Sequence, residues 1–277
     1  LKVLQISDLQ DNRFTCVDTL RFMEAAVKNI KPDLIVFTGD QLDVVDFWGK
    51  GEKCKKNVEK AINRLFSVFE SFDIPFVLTF GNHDRETGLP NEEQAKIYAK
   101  MKNCICFDDL NDGRPDAGTF NVPIMSSDGS RTAMNIYVFD TGSKTNGVYG
   151  EVRREQLEWL DKTSREVNAE SIVFQHIPVD EIYELLKKVP KGTEGAEPAY
   201  GTRKGEYYRR RDGIKFMGEY GETPAALPRE CGEFEQLKKQ GDIFAVYCGH
   251  DHYDSFIGTV DGIDLGYCPG AGYNTYG

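Results

Sequence analysis

The chain has 277 residues, 40% of them hydrophobic and 12% aromatic, enough to bury a sizeable core in one large domain or two small ones. With 34 Lys and Arg against 45 Asp and Glu, the formal net charge is -11, which argues against a long phosphate backbone as the usual partner. No apolar run reaches the roughly 18 residues of a membrane span, and the 7 cysteines lack a disulfide-scaffold spacing and read as free, packed thiols.

Residues 2–7 read as a buried strand that runs into Asp8-Leu9-Gln10. Val17, Leu20, Met23, Val27 and Ile30 then recur at helical spacing until Pro32 stops the pattern. Residues 33–38 are nearly all apolar, as in a strand covered on both faces, and lead into Gly39-Asp40. Val58, Ile62, Leu65, Phe66, Phe69 and Phe72 predict a second amphipathic helix, with the aromatic stripe serving as core. A third strand over 75–80 ends in Gly81-Asn82-His83-Asp84. This alternation predicts parallel strands joined by right-handed crossovers.

Further on, the spacing predicts a helix over about 92–101, a hairpin from 119–125 and 134–139, a helix from about 153, and a strand that ends just before His176. Cys104-Ile105-Cys106 resembles a strand with both thiols on one face, packed rather than metal-bound. Residues 191–230 have no period and carry Arg203 and Arg209 to Arg211. A segment of this length inside a compact domain reads as a lid or a substrate-selecting insertion, with a solvated basic loop as the alternative. The strand over 242–247 closes on Cys248-Gly249-His250-Asp251-His252. Neither a linker nor a repeat interrupts the chain, so the reading is a single α/β domain over 1–277 with two sheets flanked by helices and a site along one edge.

An isolated His-x-His pair is more often a polar loop than a site. Here, however, all 4 histidines stand just past strand-like runs, and Asp8 and Asp40 end two others. Potential ligands therefore sit at the carboxyl ends of five strands, where α/β sheets build their sites. Neutral imidazole is the commonest protein metal ligand, and a preceding glycine lets the backbone approach an ion.

In order along the chain, Asp8-Leu9-Gln10, Gly39-Asp40-Gln41-Leu42-Asp43, Gly81-Asn82-His83-Asp84, His176 and Gly249-His250-Asp251-His252 resemble the calcineurin-like metallophosphoesterase superfamily. The 32–40 and 174–178 stretches and the Gly- and Tyr-rich end over 269–277 resemble its short branch of plant and fungal purple-acid-phosphatase-like proteins.

The resemblance implies a four-layer αββα sandwich with two mixed β-sheets, and two divalent ions bridged by Asp40. One ion is expected on Asp8, Gln10, Asp40 and His252, the other on Asp40, Asn82, His176 and His250. Mixed imidazole, carboxylate and amide donors favour Mn, with Fe or Zn as alternatives. Asp43 stands where true purple acid phosphatases carry a tyrosine, so no purple colour is expected.

The implied activity is hydrolysis of a phosphate monoester or diester by a metal-activated hydroxide. His83, oriented by Asp84, would protonate the leaving group or stabilise the transition state. Because Gln10 replaces the usual imidazole, a degenerate phosphatase-fold protein that binds phosphorylated ligands is the alternative, and a nuclease is opposed by the net charge of -11. A small phosphorylated substrate is the expected partner, without a membrane or nucleic acid. The compartment stays open between cytoplasmic and, after removal of a signal peptide, secreted.

Overall fold

The computed structural model describes residues 1–44, 48–107, 112–143 and 148–276. The first third of the chain is β1 (Val3–Ile6), α1 (Val17–Ile30), β2 (Leu34–Thr38), α2 (Glu52–Glu70), β3 (Phe76–Thr79) and α3 (Asn91–Tyr98). Strands β1, β2 and β3 pair in parallel in that order, Ile6 opposite Phe37 and Thr38 opposite Thr79. The expected alternation of strand and helix is present. Helix α1 ends at Lys31, which takes a left-handed φ of 51° while its N–H bonds Val27 O, and Pro32 cannot continue the turn. The aromatic stripe of α2 is core: Phe66 and Phe69 stand 4.8 and 5.3 Å from the Phe37 ring on β2.

The middle of the chain supplies β4 (Phe120–Met125), β5 (Thr132–Phe139), α4 (Arg154–Val167), β6 (Ser171–Gln175), β7 (Leu186–Lys188), β8 (Glu197–Pro198), β9 (Tyr207–Arg210) and β10 (Phe216–Met217). Helix α5 (Glu233–Gln240) then precedes β11 (Ile243–Cys248), β12 (Ile257–Val260) and β13 (Ile263–Tyr267). Seven strands form a mixed sheet in the order β10-β12-β13-β11-β6-β5-β4. The expected hairpin is its β4–β5 edge, antiparallel with Phe120 opposite Val138.

This second sheet is buried on both faces. On β5, Ile136 and Val138 join the core shared with the first sheet, while Tyr137 and Phe139 join the core under α4 and α5. Strand β6 divides in the same way, with Phe174 on one side and Val173 on the other. The two-residue period of a strand thus sends alternate side chains into two cores. The layers run from α1 and α2 through the parallel sheet and the mixed sheet to α4 and α5.

Two local expectations change. Cys104 and Cys106 do bring their sulfurs together, 3.6 Å apart and buried, with Ile105 exposed, but they lie outside any strand: Cys104 makes only a single bridge to Phe76. The 191–230 segment is not structureless either. It carries β8 and β9, with β9 pairing between β7 and β8 in a small antiparallel sheet, and β10, which extends the edge of the mixed sheet.

Candidate metal centre

The carboxyl ends of β1, β2, β3, β6 and β11 converge, and each delivers a polar side chain. Asp8 follows β1, Asp40 follows β2, Asn82 and His83 follow β3, His176 follows β6, and His250 follows β11 with His252 two residues on. Three of these residues hold left-handed backbone, Asp8 at φ 53°, Asp40 at 52° and His250 at 77°, and so does Gln10 beside them at 37°. Such conformations cost non-glycine residues of order 1–3 kcal/mol each and persist where the surroundings over-determine them, most often at functional sites.

Two glycines allow the approach. A Cβ at Gly81 would stand 2.1 Å from Asp40 Oδ1, and one at Gly249 would stand 1.8 Å from Ser7 Oγ and 2.5 Å from Asp8 Oδ2. No other residue fits there.

The donor atoms fall into two neighbouring groups. His176 Nε2 lies 3.2 Å from Asp40 Oδ2, 3.1 Å from Asn82 Oδ1 and 3.2 Å from His250 Nδ1. Ligand atoms of Asp40, His176 and His250 all lie within 4.8 Å of one another, and all three residues are buried. On the other side, His252 Nε2 lies 3.3 Å from Asp8 Oδ1, a buried oxygen with no hydrogen-bond partner among the described residues. The far ring nitrogens are fixed by backbone: His176 Nδ1 donates to Thr38 O at 2.9 Å and His252 Nδ1 to Tyr276 O at 2.7 Å, so each Nε2 faces the carboxylates. The Tyr276 ring stacks flat on His252, with centroids 4.1 Å apart.

The buried acids and imidazoles shift one another strongly. Burial alone would lower the His176 value, but the Asp40 and Asp8 carboxylates outweigh it and push the imidazole up to about 10. Burial likewise favours the neutral form of Asp40, and the opposing charge and hydrogen bond of His176 hold that carboxyl below its ordinary value. His250, desolvated and beside a cationic His176, is driven down to about 3 and stays neutral. Carboxylates and imidazoles hold a metal only in their deprotonated forms, so binding here is coupled to proton release. The donor set, converging imidazoles and carboxylates with an orphaned carboxylate oxygen, fits divalent metal.

Two expected roles change. Asp84 does not orient His83. Its carboxylate accepts the backbone N–H groups of Asp40, Leu42 and Gly81 at 2.9, 3.0 and 2.9 Å, which braces the β2 and β3 turns, while burial and then the Asp40 charge push it up to about 8. The imidazole partner of His83 is Glu86, whose Oε2 lies 2.6 Å from Nδ1, leaving Nε2 towards the cavity and 3.9 Å from Asp40 Oδ2. Glu86 sits three residues on, within the short 3-10 turn Asp84–Thr87, a spacing legible in the sequence.

Gln10 lies at the site but spends its amide otherwise than expected. Its nitrogen donates to Asp40 Oδ2 at 3.2 Å and its oxygen accepts from Thr275 Oγ at 2.5 Å, so the oxygen expected on a metal faces a hydroxyl. Asp43, on the rim, accepts from the Val44 N–H, and burial raises its carboxyl.

A cavity of about 780 Å³ opens over these residues, and the 191–230 segment forms part of its wall through Glu197, Tyr200 and Glu222. The arginine run faces elsewhere: Arg209 pairs with Asp212, Arg210 lies 4.6 Å from the Phe216 ring, and Arg211 bonds Leu186 O.

The family model for calcineurin-like phosphoesterases matches residues 1–254. Probable inactive purple acid phosphatase 14 of Arabidopsis thaliana is 29% identical, over all of this chain and 68% of its own length. Phosphatase DCR2 of Saccharomyces cerevisiae is 22% identical, over 92% of this chain and 44% of its own length. Among solved structures, a dimetal phosphatase of Danio rerio superposes with a TM-score of 0.58 at 12% identity, covering 98% of this chain and 88% of that one, a likeness of fold.

Proposed function

The chain belongs to the calcineurin-like phosphoesterase family, and on that footing we propose that it is a two-metal phosphoesterase that hydrolyses a phosphate monoester or diester. The observation that carries the reading is the convergence of Asp40, His176 and His250 donor atoms within 4.8 Å, beside the Asp8–His252 pair, at the floor of an open cavity.

Asp8, Asp40 and His252 would hold one ion, and Asp40, Asn82, His176 and His250 the other, with Mn favoured by the mixed donors and Fe or Zn as alternatives. Two such ions supply Lewis acidity and a water-derived nucleophile near neutral pH. The rest falls to the chain. Asp84 holds the turns that carry Asp40 and Asn82 through its three amide bonds. His83, fixed at Nδ1 by Glu86, presents Nε2 to the cavity and gives its proton to the departing oxygen as water oxygen bonds to phosphorus and the ester P–O bond breaks. Tyr276 and Thr38 carbonyls keep the two imidazoles in the tautomer that offers Nε2.

The test is Mn-dependent turnover of p-nitrophenyl phosphate and its bis ester, with metal content measured alongside. A second reading, phosphoester binding without turnover, draws support from the Gln10 oxygen being engaged by Thr275. Metal-loaded protein that binds phosphate but turns over neither ester would establish that second reading instead.

A further inference from the structure

The walls of the same cavity select by charge. The proposal here rests on the phosphoesterase reading of the floor and concerns the part of the substrate that points away from it. Beyond the metal-binding residues, the wall presents the carboxylates of Glu86, Glu197 and Glu222 and the rings of Tyr149, Tyr200, Tyr253 and Tyr276, and no Lys or Arg among the described residues lines it.

Glu86 is occupied by His83. Glu222 is fixed between two rings: its Oε1 accepts the Tyr253 N–H at 2.9 Å, and its oxygens lie 3.4 and 3.5 Å from the Tyr276 hydroxyl. Those rings stand 5.4 Å apart, each about half exposed, with Tyr200 more exposed still. Glu197, on β8, forms no ion pair with a described Lys or Arg, and neither does Glu222.

In the adjoining cavity of about 720 Å³, which shares Tyr149 and Tyr200, Arg203 pairs with Asp180, and Arg229 pairs with Asp180, Glu181 and Glu184, so both guanidinium groups are engaged by carboxylates.

A wall of this composition repels additional negative charge and attracts a cation, electrostatically through the carboxylates and through the faces of the tyrosine rings. A dianionic or polyphosphorylated substrate would bring its excess charge against Glu197 and Glu222. A phosphodiester with a cationic alcohol brings one negative charge for the floor and one positive charge for the wall. We infer that the preferred substrate class is a zwitterionic phosphoester, in which one alcohol carries a quaternary or primary ammonium group held by Glu197, Glu222 and the surrounding tyrosines.

Two esters isolate the charge. The p-nitrophenyl diester of phosphocholine and the p-nitrophenyl diester of 3,3-dimethylbutyl phosphate have the same shape, differ by one positive charge, and both release p-nitrophenolate. With Mn-loaded protein, the ratio of kcat/KM should favour the cationic ester by about tenfold, the size of a partly desolvated cation–ring contact, and should fall as salt is raised. In Glu197→Gln with Glu222→Gln the ratio should drop towards one. Glu197→Gln alone serves if the double variant melts early.

Equal rates in the parent protein, or equal losses on both esters in the variant, overturn the inference and leave the phosphoesterase reading standing. If neither ester is hydrolysed, that reading fails, and titration calorimetry with the same pair decides this one. Tighter binding of the cationic ester upholds it, and equal or no binding sinks it.

Discussion

Replacing Gly249 by alanine tests how closely the first and last site strands approach. The added methyl would stand 1.8 Å from Ser7 Oγ, 2.8 Å from Ser7 Cβ and 2.5 Å from Asp8 Oδ2, and two of those atoms belong to a buried turn that cannot swing aside. Non-bonded contacts settle at about 3.5 Å, so the ends of β1 and β11 must part by about an ångström or more. Gly249 has no positive φ, so the backbone itself tolerates alanine and the cost is purely steric. Overpacking of this kind costs about 1–3 kcal/mol, which in a chain of this size lowers Tm by about 2–10 °C.

The displacement falls on the bond from the His250 N–H to Asp8 Oδ2, now 2.8 Å, and on the 3.3 Å approach of His252 to Asp8. Mn affinity, measured by titration calorimetry, should therefore fall at least tenfold. Ser7→Gly removes two of the three clashing atoms, so the double variant should recover much of the loss in both measurements. Alanine at 249 with unchanged Tm and unchanged metal affinity would refute the close approach of these strand ends.

Asp40→Asn, read by elemental analysis after loading with Mn, should cost both ions, since each half of the donor set uses this carboxylate; two tightly held ions would remove Asp40 from that role. At Glu233, burial lifts the folded carboxyl from about 4.5 to about 8, so its proton stabilises the fold below the lower value and that contribution is lost as pH rises through the upper one. Glu233→Gln should consequently gain urea resistance over the parent between pH 5 and 8, and a difference independent of pH would contradict this. His83→Asn should reduce kcat/KM on an alkyl phosphate by about 10²–10⁴-fold and less on a p-nitrophenyl ester, which departs without a proton. Equal losses would leave only an electrostatic role. Glu86→Gln should reproduce the same pattern more weakly, whereas an effect only on Tm would reduce Glu86 to a structural residue.

Strand positions and ligand candidates were legible because they depend on local signals. The apolar run before Asp40 predicts a strand buried on both faces, and β2 is fully buried. The four histidines, each placed after such a run, point to one edge of the sheets. What escaped were contacts made by residues distant in sequence and by atoms with a choice of partner. Asp84 beside His83 looked like an orienting acid, but its carboxylate is taken by three amides from two different turns, a long-range arrangement that adjacency cannot reveal. Gln10 was identified by position, yet the use of its two amide ends is decided by Thr275, 265 residues away. The 191–230 segment lacked a period because its strands are only two to four residues long, too short to display one. Its arginines lie away from the cavity over the site, while Glu197, Glu222 and Tyr200 line it.

The closure of the site by the last described residues bears on how it comes into being during synthesis. Ala271 donates to Ser7 O, Gly272 to Asp8 O, and Tyr276 caps His252, so the floor of the cavity joins segments from opposite ends of the sequence. Contacts of such separation form late and slowly, because the entropy of closing the intervening chain is spent before they return anything. Strands β1 to β3 can pair before the later strands are made, but a nascent chain halted before residue 250 has neither His250 nor His252. The donor set at the floor of the cavity is therefore complete only after this region has been translated.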